Sequence, residues 1–165
     1  MRDVRITGTG QLLELQRKLR AAGHENIRAS MQRRIRRAAE PLRDGLQDRV
    51  RTLQIRSQGR RVPGGPSPNT RPLRITIANA IRISVRNTGT PGARVWVDKS
   101  ALPPGMRNVP ARLDEGRLRH PVFRNRRRWV SQYADPWWDS TIRKHRARME
   151  REVERVLDDV RQRLN

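Results

Sequence analysis

The residues with the clearest chemistry in this chain are ten arginines between Arg49 and Val97, a stretch without one acidic residue. They are Arg49, Arg51, Arg56, Arg60, Arg61, Arg71, Arg74, Arg82, Arg86 and Arg94. Such a concentration of one charge repels itself unless it is solvated, screened or matched by a polyanion. Guanidinium groups also bind phosphates and carboxylates through two parallel hydrogen bonds. We therefore expect a polyanionic partner, with a merely solvated basic surface as the alternative.

The rest of the chain carries the same charge less densely. The formal net charge is +22 over 165 residues, and all but three of the 38 basic residues are arginine. Residues 135–165 are nearly balanced, so the middle of the chain is its most electropositive part.

Residue types suited to catalysis are present but not grouped. The three histidines, His24, His120 and His145, are isolated from one another and from carboxylates at metal-ligand spacings. The acidic pairs at 114–115 and 158–159 are adjacent in sequence, so their carboxylates diverge in a helix or strand instead of sharing a site. The chain has no cysteine. We predict no catalytic residue, no metal site, no cofactor and no enzymatic activity.

Aromatic residues form the second notable group. Five of the six fall within 16 residues, and they are Phe123, Trp129, Tyr133, Trp137 and Trp138. The first interpretation is a small core that fixes this segment to the C-terminal helix, with His120 as a hydrogen-bonded structural side chain. A subunit interface is the second, because such interfaces are rich in Trp, Tyr and Arg. The third is a stacking surface for unpaired bases, although the grouping lacks the regular strand spacing of such platforms.

Hydrophobic spacing predicts an α+β fold, in which long amphipathic helices pack on a small antiparallel sheet with a β-hairpin. Alternating apolar residues predict a short N-terminal strand, and a helix over residues 11–22 should end at Gly23. A longer helix begins near Glu25 and carries apolar residues at spacings of three and four as far as Leu53. Pro41 is expected to kink it.

Prolines, glycines and short hydrophobic repeats predict the secondary structure of the second half of the chain. Residues 57–72 read as a long flexible basic loop. Residues 73–80 predict a short helix or extended segment, and the hairpin strands follow at 81–85 and 95–97. Residues 100–134 contain four prolines and predict an ordered loop with short helical turns.

The last helix has a local start signal. Asp135 is predicted as its N-cap, Pro136 as its first helical residue and Asp139 as an acid of its first turn. The predicted organisation is one domain, residues 1–165, made of segments 1–56, 57–72, 73–99, 100–134 and 135–165.

The hydrophobic content of the chain bears on its assembly, and the lengths of its apolar segments bear on its location. Hydrophobic residues make up 34% of the chain, below the roughly 45–50% of ordinary globular domains, so an oligomer that shares a core is expected. No segment approaches the roughly 20 apolar residues of a membrane span. We expect a soluble protein with no membrane partner that stays in the cell where it is made.

One block of the sequence resembles a known family. The block is LDEGRLRHPVF at residues 113–123, followed by Arg126, Trp129, Val130, Gln132 and the Pro136–Trp138 tripeptide. It is similar to a block in the neck and tail-completion proteins of tailed phages, and the order of predicted elements is similar as well.

This resemblance implies a non-enzymatic structural protein of the virion, which forms a ring of usually six copies at the head–tail junction. The implied partners are other copies of the chain, the adjacent connector or stopper, tail terminator or tail tube proteins, and genomic double-stranded DNA, bound without sequence specificity. The ring would be assembled in the host cytoplasm. The resemblance leaves open whether the role is that of a tail terminator or of a neck component.

Under this expectation the arginines that face DNA in the channel come from the acid-free segment. They are Arg49, Arg51, Arg56, Arg60, Arg61, Arg71 and Arg74. Phosphate contacts of this kind hold DNA without reading bases and weaken in high salt. The alternative function is a free basic nucleic-acid-binding protein, such as a phage packaging or chromatin factor.

Overall fold

The chain has the mixed α+β fold that its sequence predicts. A computed structural model describes residues 4–7, 14, 17, 18, 21, 23, 25–57, 73–86, 92–122 and 125–162. In chain order the elements are β1 (Val4–Thr7), α1 (Glu25–Arg51), β2 (Ile55–Ser57), α2 (Leu73–Asn79), β3 (Ile81–Arg86), β4 (Gly92–Val97), α3 (Val109–Asp114), β5 (Arg117–Val122), β6 (Asn125–Ala134) and α4 (Trp138–Gln162). Short 3₁₀ turns occupy Lys99–Ala101 and Pro104–Met106.

Two compact units share these elements. The first unit comprises the described residues of Leu46–Ile81 and Val97–Thr141. The second comprises Arg2–Gly45, Arg82–Trp96 and Ile142–Asn165. Each unit draws on separate stretches of chain, so neither coincides with one of the predicted segments.

The second unit contains the predicted antiparallel sheet, in the strand order β1-β4-β3. β1 pairs with β4 in a register that sets Val4 against Val95 and Thr7 against Gly92. The apolar spacing of α1 buries one stripe of the helix, as predicted; its members in this unit are Met31, Ile35, Ala38, Ala39 and Leu42. The matching stripe of α4 buries Met149, Val153, Val156 and Val160.

Close contacts join the two long helices within this unit. Gly45 lies against the His145 ring, so that a side chain at this position would collide with it. Arg34 of α1 makes an ion pair with Asp159 of α4. α1 runs through Pro41 without interruption, and the predicted kink stays a prediction.

The predicted helix at residues 11–22 falls largely outside the described residues. Those that are described, Glu14, Arg17, Lys18 and Ala21, are helical. Gly23 has a φ of 68°, the left-handed conformation in which glycine commonly ends helices. The proposed loop from residue 58 to residue 72 also lies outside the described residues.

The first unit contains a second antiparallel sheet, which was not expected from the sequence. Its strand order is β2-β6-β5. Residues 100–134 therefore form more than a loop with helical turns: the turns are present, but residues 117–122 and 125–134 are strands. Ser57 likewise belongs to β2 and not to the predicted loop.

The start of α4 differs from the prediction in its capping residue. Asp114 Oδ1, at the end of α3, accepts hydrogen bonds from the backbone N–H groups of Trp137, at 3.0 Å, and Trp138, at 2.9 Å. The helix begins at Trp138, after the predicted Pro136, while Asp139 lies in the first turn as predicted. Asp135 instead pairs with Arg56 at 3.5 Å. The cap of this helix comes from a residue remote in sequence.

Buried aromatic rings form part of the core of the first unit. Trp137 and Trp138 are 1% and 0% exposed, and their rings meet edge to face with centroids 5.3 Å apart. Around them the unit buries Leu46, Val50, Leu53, Ile77, Leu113 and Leu118. This core supports the β2-β6-β5 sheet from one side.

Candidate functional site

The two faces of the β2-β6-β5 sheet differ in chemistry. Residues directly opposite each other in an antiparallel pair point to the same face, and successive residues of a strand point to opposite faces. On one face lie Leu118 and Ala134, which are buried, and Val130 and Gln132, which are half-buried. This is the face that contributes to the core of the unit.

The other face is exposed and consists mainly of arginine and aromatic side chains. Across the three strands, Arg56 lies opposite Tyr133, and Tyr133 lies opposite Arg117. Further along, Arg119 lies opposite Ser131 and Trp129 opposite Pro121. We call Arg56, Arg117, Arg119, Trp129 and Tyr133 the arginine–aromatic face. Trp129 is 50% exposed and Tyr133 36% exposed.

Cation–π contacts organise this face. The guanidinium carbon of Arg119 lies 5.1 Å from the ring centroid of Trp129, and that of Arg117 lies 6.0 Å from the ring centroid of Tyr133. Each distance falls within the roughly 6 Å range of this attraction. Arg117 also donates to the Ser131 hydroxyl from Nε at 3.3 Å and from a terminal nitrogen at 3.2 Å. Two flat cations are thus held beside two flat rings.

The indole of Trp129 is fixed by a further bond. Its Nε1–H donates to the carbonyl oxygen of Arg126 at 2.8 Å. The ring is therefore oriented although half of its surface is exposed. Such an exposed ring of fixed orientation is suited to contact with another flat group.

A basic hollow adjoins this face. It has a volume of about 400 Å³ and is lined by Arg112, Glu115, Arg117 and Arg119. Glu115 is paired with Arg112 at 3.0 Å. The positive charges of Arg117 and Arg119 thus dominate the hollow.

A second basic concavity in the first unit includes two of the predicted DNA-facing arginines. This groove, of about 430 Å³, is lined by Arg51, Ile55, Leu73, Arg74, Ile75 and Gln132. Arg51 is also paired with Asp48 at 2.9 Å, and both side chains are well exposed. Arg74 is exposed on the short helix α2. The structure therefore brings Arg51 and Arg74 to one groove with aliphatic walls.

The other predicted arginines have different surroundings. Arg49 lies beside Arg51 in the last turn of α1, where a cation also interacts favourably with the helix dipole. Arg56 belongs to the arginine–aromatic face and has Asp135 as a partner. Arg60, Arg61 and Arg71 lie outside the described residues.

The arginines of the acid-free segment that belong to the second unit lie on its own sheet. Arg82 and Arg86 are exposed on β3. The apolar residues of this strand point to the other face, where Ile81 and Ile83 are buried and Val85 is half-buried. Arg94 lies with its guanidinium carbon 4.7 Å from the ring centroid of Trp96. Both units therefore present arginines from the segment.

The polar face of α4 contains two ion pairs within the helix. Arg146 donates to Glu150 at 2.8 Å, and Arg155 donates to Glu152 at 2.9 Å. The hydrogen bond that Arg146 donates to Glu150, together with the negative charge of that carboxylate, raises the pKa of the Arg146 guanidinium. This pairing agrees with the near balance of charge in the last segment of the sequence.

The five residues of the predicted aromatic cluster do not share one environment. Trp137 and Trp138 are buried, as the core interpretation requires. Trp129 and Tyr133 are exposed on the sheet, which the core interpretation does not predict. Phe123 lies outside the described residues.

His120 is half-buried and has a structural contact. Its Nδ1 lies 3.1 Å from the carbonyl oxygen of Pro121, to which a proton on Nδ1 would be donated. It lines a cavity of about 620 Å³ together with Asn108, Arg112, Arg119 and Gln132. Within the described residues, no group of three or more His, Cys, Asp and Glu side chains is placed to hold a metal ion. Among its described lining residues the cavity offers one imidazole ring and no carboxylate or nucleophile.

Sequence reasoning missed Arg117 and Arg119 as candidate residues. A signal for them was present, because Arg117 and Arg119 alternate with Leu118 and His120 over the period of a strand. The regular strand spacing that the sequence analysis found lacking for a stacking platform is present at Trp129 and Tyr133. The stacking interpretation of the aromatic cluster thus has a geometry that the sequence did not reveal.

Comparison with known proteins gave no relative. No family model, curated protein or solved structure matches this chain. Among the described helices, none combines the length and the apolar character needed to cross a membrane.

Proposed function

We propose that this chain is a non-enzymatic structural protein of a long-tailed phage particle. It forms a homo-oligomeric ring at the head–tail junction and contacts the passing genome through arginines of the acid-free segment. The proposal combines the charge pattern with the resemblance of residues 113–138 to neck and tail-completion proteins. The ring would meet the connector or stopper on one side and the tail terminator or tail tube on the other.

The observation that carries the DNA contact is the groove shared by Arg51 and Arg74. Its remaining walls are aliphatic or amide side chains and offer no aromatic ring to a base. Guanidinium groups in such surroundings bind phosphate oxygens and carry no sequence information. Loose contact of this kind suits a polymer that must move past the protein.

The DNA contact is tested by the salt dependence of duplex binding. Each phosphate contact contributes about −0.9 to the slope of log affinity against log salt concentration. Replacing Arg51 and Arg74 together by alanine should weaken duplex binding and reduce the steepness of that slope by about 2. The matched control, Arg143→Ala with Arg151→Ala, removes the same charge from exposed positions of α4. Equal slopes for the two double variants would show that the groove does not contact DNA.

The arginines of the predicted basic loop allow a separate test of the same contact. Reversing the charge of Arg60, Arg61 and Arg71 should weaken duplex binding at low salt, while the urea midpoint of unfolding changes little. Unchanged binding at low salt would exclude the loop from the DNA contact.

The ring is tested by assembly. Electron microscopy and native mass spectrometry of the purified protein at high concentration should detect closed rings, and mass spectrometry of purified particles should detect the chain in virions. A strict monomer that is absent from virions would contradict this function.

A free nucleic-acid-binding protein is the second candidate function. The observation that favours it is the arginine–aromatic face, whose exposed rings have no required role in a channel for duplex DNA. Retention of the chain in infected cells outside particles, together with DNA binding by the monomer, would favour this candidate over the ring.

A further inference from the structure

We propose that the arginine–aromatic face is a binding surface for single-stranded nucleic acid, in which bases stack on Trp129 and Tyr133 while Arg117 and Arg119 bind the phosphates. This inference does not depend on the virion role, because it concerns a different surface and a different ligand from the duplex groove.

The rings are spaced for this ligand. Trp129 and Tyr133 are four residues apart on β6 and point to the same face, so their backbones are about 13 Å apart at the usual rise of a strand. Duplex DNA cannot offer flat base surfaces at this spacing, because its bases are stacked on one another. An extended single strand offers separate bases, and every base has a flat π surface that stacks on an aromatic ring.

The cations lie where the backbone of such a strand would run. Arg117 and Arg119 are two residues apart on β5, about 7 Å along the strand, directly beside the rings. They also line the basic hollow with Arg112. An electropositive groove alongside stacking rings is the arrangement by which proteins bind single strands without sequence preference.

Charge complementarity favours a nucleic acid over a second copy of this chain. The chain carries a net charge of +22, so another copy has little unpaired acidic surface to set against this face. The acids next to the face, Glu115 and Asp135, already pair with Arg112 and Arg56. The carboxylates of an acidic protein could pair with the arginines, but they would make no use of the two exposed aromatic rings.

The test compares oligothymidylate with inorganic polyphosphate of equal charge, which lacks bases. The wild-type protein should bind oligothymidylate more tightly than polyphosphate. Trp129→Ala and Tyr133→Ala should each weaken oligothymidylate binding by at least about 5-fold and leave polyphosphate binding within about 2-fold of wild type. Asn79→Ala is the control, because Asn79 is an exposed residue of the same unit that lies off this face and lines neither the basic hollow nor the groove of Arg51 and Arg74.

A conservative variant separates stacking from loss of structure. Trp129→Phe keeps a flat ring and should keep most of the oligothymidylate affinity, while the quenching of tryptophan fluorescence on binding should largely disappear. Arg117→Ala with Arg119→Ala should weaken the binding of both ligands.

Three results would overturn the proposal. The first is unchanged oligothymidylate affinity in Trp129→Ala and Tyr133→Ala. The second is an equal loss of affinity for the two ligands in the ring variants, which would indicate a general anion surface. The third is dissociation of a wild-type oligomer by Trp129→Ala, which would identify a second copy as the occupant. A loss of duplex binding in the groove variants alone would bear on the DNA channel and not on this face.

Discussion

Replacement of Asp114 offers the sharpest test of the fold, because one carboxylate oxygen caps a helix remote in sequence. Asp114 Oδ1 accepts from the Trp137 N–H at 3.0 Å and from the Trp138 N–H at 2.9 Å. Removing a local N-cap costs about 0.5–2 kcal/mol. A hydrogen bond to a charged group contributes about 1.5–3 kcal/mol. Because two such bonds are lost beside buried rings, we expect Asp114→Ala to cost about 2–4 kcal/mol.

The assays are urea unfolding and thermal unfolding, each followed by tryptophan fluorescence. A loss of this size should lower the melting temperature by about 5–15 °C for a chain of this length. The slope of free energy against urea should stay constant if the variant loses stability and not compactness. Asp114→Asn keeps an oxygen that can accept and loses the negative charge, so it should cost about 1 kcal/mol.

Asp135→Ala is the matched control, because the sequence predicts Asp135 as the cap of the same helix. Its ion pair with Arg56 spans 3.5 Å, and the two side chains are 60% and 74% exposed. Exposed pairs of this kind contribute about 0–1 kcal/mol. If Asp135→Ala destabilises the protein as much as Asp114→Ala or more, the remote cap is wrong and the local signal is right.

Two further predictions concern the aromatic cluster and a turn. Trp138→Ala should destabilise the protein by about 3–5 kcal/mol, because the ring is fully buried. Trp129→Ala should cost less than about 1 kcal/mol, because half of the surface of this ring is exposed. The urea midpoints of unfolding measure both effects, and similar midpoints for the two variants would contradict the assignment of one ring to the core and the other to the surface. Gly116→Ala should cost about 1–2 kcal/mol, because Gly116 has a φ of 90° at the end of α3, whereas Gly105→Ala, with open space around it, should change the unfolding free energy by less than about 0.5 kcal/mol. If Gly116→Ala changes the unfolding free energy as little as Gly105→Ala, the expected backbone strain at position 116 is refuted.

The long helices and the first sheet could be predicted from the sequence because their signals are local. Met31, Ile35 and Leu42 recur at helical spacing and are all buried. Ile81 and Ile83 alternate with polar residues and are buried as well. In each case the side chains that carry the period are those that pack in the core, so the pattern and the packing coincide.

The second sheet could not be predicted in the same way, because its aromatic residues point outward. If Trp129 is taken as an inward residue, the adjacent Val130 breaks the alternation and the strand disappears from the pattern. Once Trp129, Ser131 and Tyr133 are assigned to the exposed face, Val130 and Ala134 fall on the inner face and the period of two is regular. The prolines strengthened the loop interpretation, although Pro121 lies on the edge strand β5, where a missing donor is tolerated.

The cap of α4 was missed for a different reason. Sequence rules for helix starts use residues next to the helix, and Asp135 with Pro136 satisfies them. Asp114 lies 23 residues before Trp137, and only the fold of the first unit brings the two together. No local pattern distinguishes this carboxylate from that of Glu115, which pairs with Arg112 instead.

The same distinction between sequence and space applies to the candidate site. An acid-free stretch of sequence singled out Arg51, Arg56 and Arg74, yet only Arg51 and Arg74 share a groove. Arg56 joins Arg117 and Arg119, which come from a stretch with acids nearby, on a face with two rings. The first surface has cations without aromatic rings, and the second has cations with them. Since phosphates need only the cations and exposed bases also use the rings, we propose that one unit carries surfaces for two forms of nucleic acid, which the paired ring and groove variants separate.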